Sequence, residues 1–195
     1  MLDVRSSAPT GLLVDRLVPV RSPALRIAVQ VVIGVAFLAA LAQVRVQVGP
    51  VPITGQTLGV LLLGAAYGAT LGLGTTLAYL LAGAAGLAVF SGGGAGLSTL
   101  LGPTGGYLLG FPLAALLVGA LAARGWDRWI GSAALAMVAG NVVIYTFGLA
   151  WLSRFAPDLP TTLAWGLWPF LAGDAVKIVA AAGMLPLAWR LLGRR

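Results

Sequence analysis

From Leu58 to Phe90 the chain runs for 33 residues without one charged side chain, and that run sets most of what the protein can fold into. A stretch so long and apolar is a membrane crossing. At ~1.5 Å per residue it would form a helix about 50 Å long, well beyond the ~30 Å of bilayer hydrocarbon, so it must hold two elements. The break is expected between Gly68 and Gly74, in YGATLGLG, where three glycines make a tight turn. A shorter second helix precedes this turn and a third follows it, ending near Val89.

The rest of the 195-residue chain has the same character, 59% hydrophobic and 9% charged, which places it among integral membrane proteins. A first crossing is expected from Ala24 to Val44, with charge only at Arg26 and at the adjoining Arg45. Arg45 to Thr57, RVQVGPVPITGQT, carries two prolines and two glycines and reads as a loop folding back over the protein. Ser91 to Gly106 reads as a glycine-rich connection, with a plain flexible linker as the bland alternative. A fourth helix over Tyr107 to Ala123 meets a headgroup region at ARGWDRW, and a fifth covers Ile130 to Leu152. Ser153 to Leu163 is a polar, proline-bearing loop, and a sixth helix extends from Trp168 to Leu192. The expected fold is therefore all-α, with six transmembrane helices in one domain, 24–195, behind an N-terminal arm, 1–23. That arm carries Asp3, Arg5, Asp15, Arg16 and Arg21 without a continuous apolar run, so it is expected to be a cytoplasmic arm and not a cleavable signal peptide.

A formal net charge of +7 does not indicate nucleic acid here, because the cations lie between apolar segments instead of forming a stripe with interleaved aromatics. They report topology. Nine arginines (5, 16, 21, 26, 124, 128, 190, 194 and 195) fall on one side of a six-helix chain, and only Arg45 and Arg154 on the other. The arginine-rich side, with both termini, is expected to be cytoplasmic. Treating the second and third helices as one would erase this bias.

The chain has no Cys, His or Glu, and its only lysine is Lys177. These absences exclude a disulfide, a thiolate nucleophile, a His-bearing zinc site and a Ser/His/Asp triad. No lysine follows a glycine loop, so there is no phosphate-binding loop for ATP. No cofactor and no metal are expected.

Against this background Asp174 and Lys177 stand out. Measured from Trp168 they lie ~9 and ~14 Å along the sixth helix, near mid-bilayer, where each charge costs about 2.5–3.5 kcal/mol to insert. Three residues apart, they share a face and compensate each other. A self-neutralising pair that only fixes packing is one reading; a ligand or ion site is the other, since an apolar pair would be cheaper. Asn141 and Tyr145, at i and i+4 of the fifth helix, present polar groups at similar depth and are candidates for the same cavity. Gln56, Thr57 and Tyr107 sit at the outer ends of helices two and four, at the mouth. Ala24, Ala28, Ala36 and Ala40 give the first helix two small-xxx-small spacings suited to close approach by another helix.

The strings GPVPITGQTLGVLLLGAAYGATLGLGTTLAYLLAGAAGLAVFSGG, GPTGGYLLGFPLAALLVGALAARGWDRW, GNVVIYTFGLAWL and GDAVKIVAA, in this order over roughly residues 49–182, closely resemble the BioY family. That family comprises the biotin-binding S components of energy-coupling-factor (ECF) transporters. The resemblance implies a six-helix protein of a bacterial or archaeal inner membrane that captures biotin from outside. Its partners would be a transmembrane coupling protein, approached through the alanines of helix one, and a pair of ATPases. It also maps the family's GDxxK string onto Asp174 and Lys177. In the pose this implies, the ureido head meets Asp174, Lys177, Asn141 and Tyr145, helices three and four wall the ring, and the carboxylate lies near Arg45. The reversed pose, with the carboxylate on Lys177, stays open. So do a different vitamin ligand, a self-sufficient proton-coupled carrier and a ligand-free assembly subunit.

Overall fold

The computed structural model describes residues 22–192; residues 1–21 and 193–195 lie outside the described residues, and with them nearly all of the arm expected over 1–23. Among the described residues seven α-helices follow one another: α1 (Pro23–Gln43), α2 (Gln56–Ala84), α3 (Gly96–Leu101), α4 (Gly105–Ala123), α5 (Ile130–Leu152), α6 (Leu159–Gly166) and α7 (Trp168–Leu192). A minimal hairpin of β1 (Arg45–Val46) and β2 (Ile53–Thr54) lies between α1 and α2, pairing Arg45 with Thr54 and Val46 with Ile53.

The charge-free run folds as a helical hairpin inside α2. Gly68 has φ +76° and ψ 177°, a conformation that only glycine holds without strain. The chain reverses there. A Cβ on Gly72 would sit 3.2 Å from the Cα of Gly64, and the Gln56 amide lies 2.8 Å from the Tyr79 hydroxyl. In a straight helix, positions 64 and 72 would stand ~12 Å apart. The turn is therefore Gly68 alone; Gly72 and Gly74, expected to belong to it, are helical. The second limb ends at Ala84, short of the expected Val89, and the chain then turns through Gly86 at φ +100°. Five described helices are long and apolar enough to cross a membrane, and counting the two limbs of α2 separately gives six antiparallel transits of the bundle, matching the number of helices expected.

α4 forms the centre, buried on both sides by α2 and α5. It approaches the α2 reversal so closely that a Cβ on Gly119 would collide with the backbone of Gly68 and Ala69. α1 is peripheral: Gln30, Gly34, Leu38 and Ala42 form its buried stripe, while Ala24, Ala28, Ala36 and Ala40 are exposed.

The transits give the bundle two different ends. One gathers the Gly68 reversal, the turn at Trp126–Arg128, the N-terminal end of α1 and the C-terminal end of α7, where the Trp189 indole donates to the buried Asp127 carboxylate and Arg128 stacks over the same indole. The other holds the β hairpin, the 85–95 loop, α3 and α6. Two of these segments were expected to be irregular. The glycine-rich connection contains α3, and the 153–163 loop gives way at Asp158, whose side chain accepts from the Thr161 N–H at 2.8 Å and caps α6, with Pro160 in its first turn. Those hydrogen bonds hold the Asp158 carboxyl below its ordinary range.

Candidate substrate-binding site

At the loop end the bundle encloses a cavity of about 240 Å³. That is the scale of one small molecule, near the lower edge of the ~300–1,000 Å³ common for ligand pockets. Its polar end is built around α7. Lys177 Nζ donates to the Thr54 carbonyl at 2.8 Å, to Thr57 Oγ1 at 3.0 Å and to Asp174 Oδ1 at 2.9 Å, so all three ammonium donors have partners. Thr57 in turn lies 3.5 Å from Asp174 Oδ1, and the Tyr145 hydroxyl donates to Asp174 Oδ2. The ion pair is nearly closed off, with side-chain exposures of 18% for Lys177 and 5% for Asp174. Two charges that would be costly singly are thus made tolerable by mutual contact and by hydrogen bonds from three other segments.

The opposite wall is aromatic. The Tyr107 and Phe170 rings stack with centroids 6.4 Å apart, and Tyr145 stands edge-on to both. Tyr107 is held by its hydroxyl, which donates to the Gly166 carbonyl at 2.8 Å. Phe90, Leu108 and Phe111 extend this wall, and Pro50, Val51 and Pro52 of the 45–55 loop lie over it. Val51 is only 3% exposed, so the loop is packed down and not a strand of chain in solvent. At the rim, the Arg45 guanidinium lies against Gly92, where any Cβ would collide with it. Ser91 Oγ, buried beside it, has no protein partner.

Of the residues expected at the site, Lys177, Tyr145, Tyr107, Gln56 and Arg45 line this cavity. Asp174 stands one contact behind, bonded to Tyr145 and Lys177. Gln56 and Tyr107, expected as mouth residues, are buried. Asn141 is not brought to the cavity. One helical turn from Tyr145, ~6 Å further toward the Gly68 end, it shares a small gap with Thr57, Leu58 and Met137 and an open groove between α5 and α7 with Tyr145 and Asp174, its Oδ1 unpartnered. The second limb of α2, expected as a ring wall, contributes no lining residue; α4 does, through Tyr107, Leu108 and Phe111. Phe90 and Phe170 were not anticipated. Phe170 was within reach of the sequence, since Phe170, Asp174 and Lys177 fall at i, i+4 and i+7 on one helical stripe.

A multi-pass bundle with a small cavity at its loop end, polar at one end, aromatic along its length and covered by loops, is a membrane protein built to hold a solute. Residues 14–194 match the BioY family, and the chain belongs to it. Its relatives include a probable biotin transporter BioY from Pyrococcus horikoshii, 40% identical over 152 residues that cover 78% of this chain and 87% of the relative. A biotin transporter BioY from Rhizobium etli is 39% identical over 140 residues, 68% of this chain and 75% of the relative. Among solved structures, the crystal structure of the S-component for biotin from an ECF-type ABC transporter superposes with a TM-score of 0.77 at 25% identity, covering 90% of this chain and 95% of that one. The chain is a transport protein and not an enzyme.

Proposed function

We propose that this protein is the biotin-binding S component of an ECF transporter, capturing biotin from the outer face of a bacterial or archaeal cytoplasmic membrane. The observation that carries the reading is the cavity, which pairs the Lys177, Tyr145 and Thr57 cluster with the aromatic wall of Tyr107, Phe170 and Phe90. Biotin has matching parts: a ureido head with two N–H donors and a carbonyl acceptor, an apolar thiophane ring, and a valerate tail ending in a carboxylate. The Tyr145 hydroxyl, its hydrogen committed to Asp174, offers its oxygen to a ureido N–H, and the Lys177 ammonium meets the ureido carbonyl by exchanging one of its three protein acceptors, the Thr57 hydroxyl, for it. Asp174 acts through these two groups by orienting the phenol and holding the ammonium. The ring lies against the aromatic wall, and the carboxylate reaches Arg45 and the Ser91 hydroxyl at the rim.

In this reading the loop end faces outward and both termini are cytoplasmic, as the arginine bias requires. The protein needs no cofactor, biotin being its cargo. A transmembrane coupling protein and a pair of ATPases supply the energy, and the exposed alanine stripe of α1 is the surface offered to the coupling protein. Residues 24–195 act as one domain. Equilibrium binding of labelled biotin to the purified protein, with competition by other vitamins, tests the proposal. Saturable binding displaced by biotin alone is expected; preference for another vitamin, or no binding by folded protein, overturns it.

A further inference from the structure

Tyr79 lies outside the cavity yet touches both of its sides. It is fully buried in the second limb of α2. Its hydroxyl donates to the Val89 carbonyl at 2.8 Å and accepts from Gln56 Nε2 at 2.8 Å, and its ring meets the Phe90 ring edge-on at 5.4 Å. Gln56 and Phe90 are both lining residues. The contact has been given room: a Cβ on Gly83, one turn beyond Tyr79, would collide with the Phe90 ring.

The direction of the bonds makes Tyr79 more than packing. A phenol has one proton, and here it is committed to the Val89 carbonyl, so the oxygen can only accept from Gln56. The Gln56 amide is thereby fixed with its carbonyl toward the Thr54 hydroxyl, at 3.0 Å. The Thr54 carbonyl in turn accepts from Lys177. One hydrogen-bonded belt thus runs from the 85–95 loop through Tyr79, Gln56, Thr54 and Lys177 to Asp174 and Tyr145, and it ties both covering loops to the charge pair.

We infer that Tyr79 is a positioning residue that locks the 45–55 and 85–95 loops together as one cover, so that neither opens over the ligand alone. For its ligand, this inference rests on the proposed biotin site. The test is Tyr79→Phe, which keeps the ring against Phe90 and removes only the hydroxyl. Single spin labels at Val46 and at exposed Leu87, in otherwise cysteine-free protein, are expected to gain mobility in Tyr79→Phe before any ligand is added, at both positions. Biotin dissociation should accelerate about fivefold to tenfold, as loss of one buried hydrogen bond allows. In a Gln56→Leu background the same change should add little, since the belt is already cut. Unchanged label mobility overturns the inference, as does a general loss of stability with biotin dissociation unaltered, or full additivity with Gln56→Leu. A wild-type protein that does not bind biotin overturns the proposed function instead, and the label mobilities then decide on Tyr79 alone.

Discussion

The smallest unit that explains the site is the Asp174 carboxylate, which holds two cavity groups at once. Asp174→Asn removes the charge that balances Lys177 and loosens Tyr145, and Lys177→Ala strands the carboxylate. Each is expected to weaken biotin binding by more than about 30-fold, since truncating one partner of a buried pair costs roughly 2–5 kcal/mol. Titration of purified, monodisperse variants checks this; wild-type affinity in either places the ligand elsewhere. Asn141 provides the contrast. It lies below the pair and outside the cavity, so Asn141→Ala should change affinity less than about threefold, while Tyr145→Phe should cost about tenfold. A different carboxylate contributes a pH dependence to stability. Asp127 is buried in the turn between α4 and α5, and desolvation raises its pKa above the ordinary value despite the Trp189 hydrogen bond and the nearby Arg128. The protonated form is thus favoured by the fold. Its stabilisation is full below the unfolded-state pKa and is lost as pH rises through the higher folded-state value. The melting temperature of Asp127→Asn, measured from the usual carboxylate range up to neutral pH, should gain on wild type as pH rises; a constant gap would show that Asp127 does not titrate differently in the fold.

At the scale of elements, two features control the cavity's shape. The first is the α2 reversal. At φ +76° and ψ 177°, Gly68 occupies a region where an added Cβ costs about 1–3 kcal/mol, and Gly119 brings α4 directly against it. Gly68→Ala should therefore lower the melting temperature in detergent by several degrees, whereas Gly74→Ala, with open space around its Cβ, should be neutral or slightly stabilising. Equal effects would mean that the reversal is not strained. The second feature is the 45–55 loop. Its β pairing is only two residue pairs long, too little to hold it alone, so it depends on Val51 packing, on the Gly55 N–H at the Leu41 and Val44 carbonyls, on the Thr54–Gln56 contact and on the Thr54 carbonyl at Lys177. A loop held by so few contacts at the cavity mouth is suited to opening and closing. Val51 is buried, so a reporter belongs on exposed Val46; its mobility should fall when biotin is added, and an unaltered spectrum at saturation would exclude a gate.

Across the whole molecule, the bundle presents one end with loops and a cavity and another with the Gly68 reversal, the Asp127 turn, the N-terminal end of α1 and the C-terminal end of α7. α1 contributes little to the core, and its outward stripe of Ala24, Ala28, Ala36 and Ala40 leaves a backbone that another helix can approach closely. Ala36→Trp or Ala40→Trp should reduce co-purification of a transmembrane partner several-fold while biotin affinity stays within about twofold, because neither side chain reaches the cavity. Full recovery of the complex with both replacements would remove α1 from the interface.

What the sequence determined follows from rules that act along the chain. Length against bilayer thickness required two helices between Leu58 and Phe90. The arginine bias favoured six transits, and the cost of intramembrane charge singled out Asp174 and Lys177. The helices over Ile130–Leu152 and Trp168–Leu192 were legible to the residue, because apolar runs between polar connections have sharp ends. The start of α6, expected to be part of a loop, left a missed signal in the Asp158 cap and in Pro160 of the first turn. Tertiary structure alone decided which neighbours the polar groups met. Gln56 and Tyr79 are 23 positions apart and meet because the chain reverses at Gly68. Asn141 and Tyr145 share a helix face, yet only Tyr145 reaches the cavity, since the depth of its floor depends on where Lys177 finds the Thr54 carbonyl. Helical periodicity assigns a side chain to a face; the level at which that face opens into a cavity is set by packing against other helices, which no local spacing encodes.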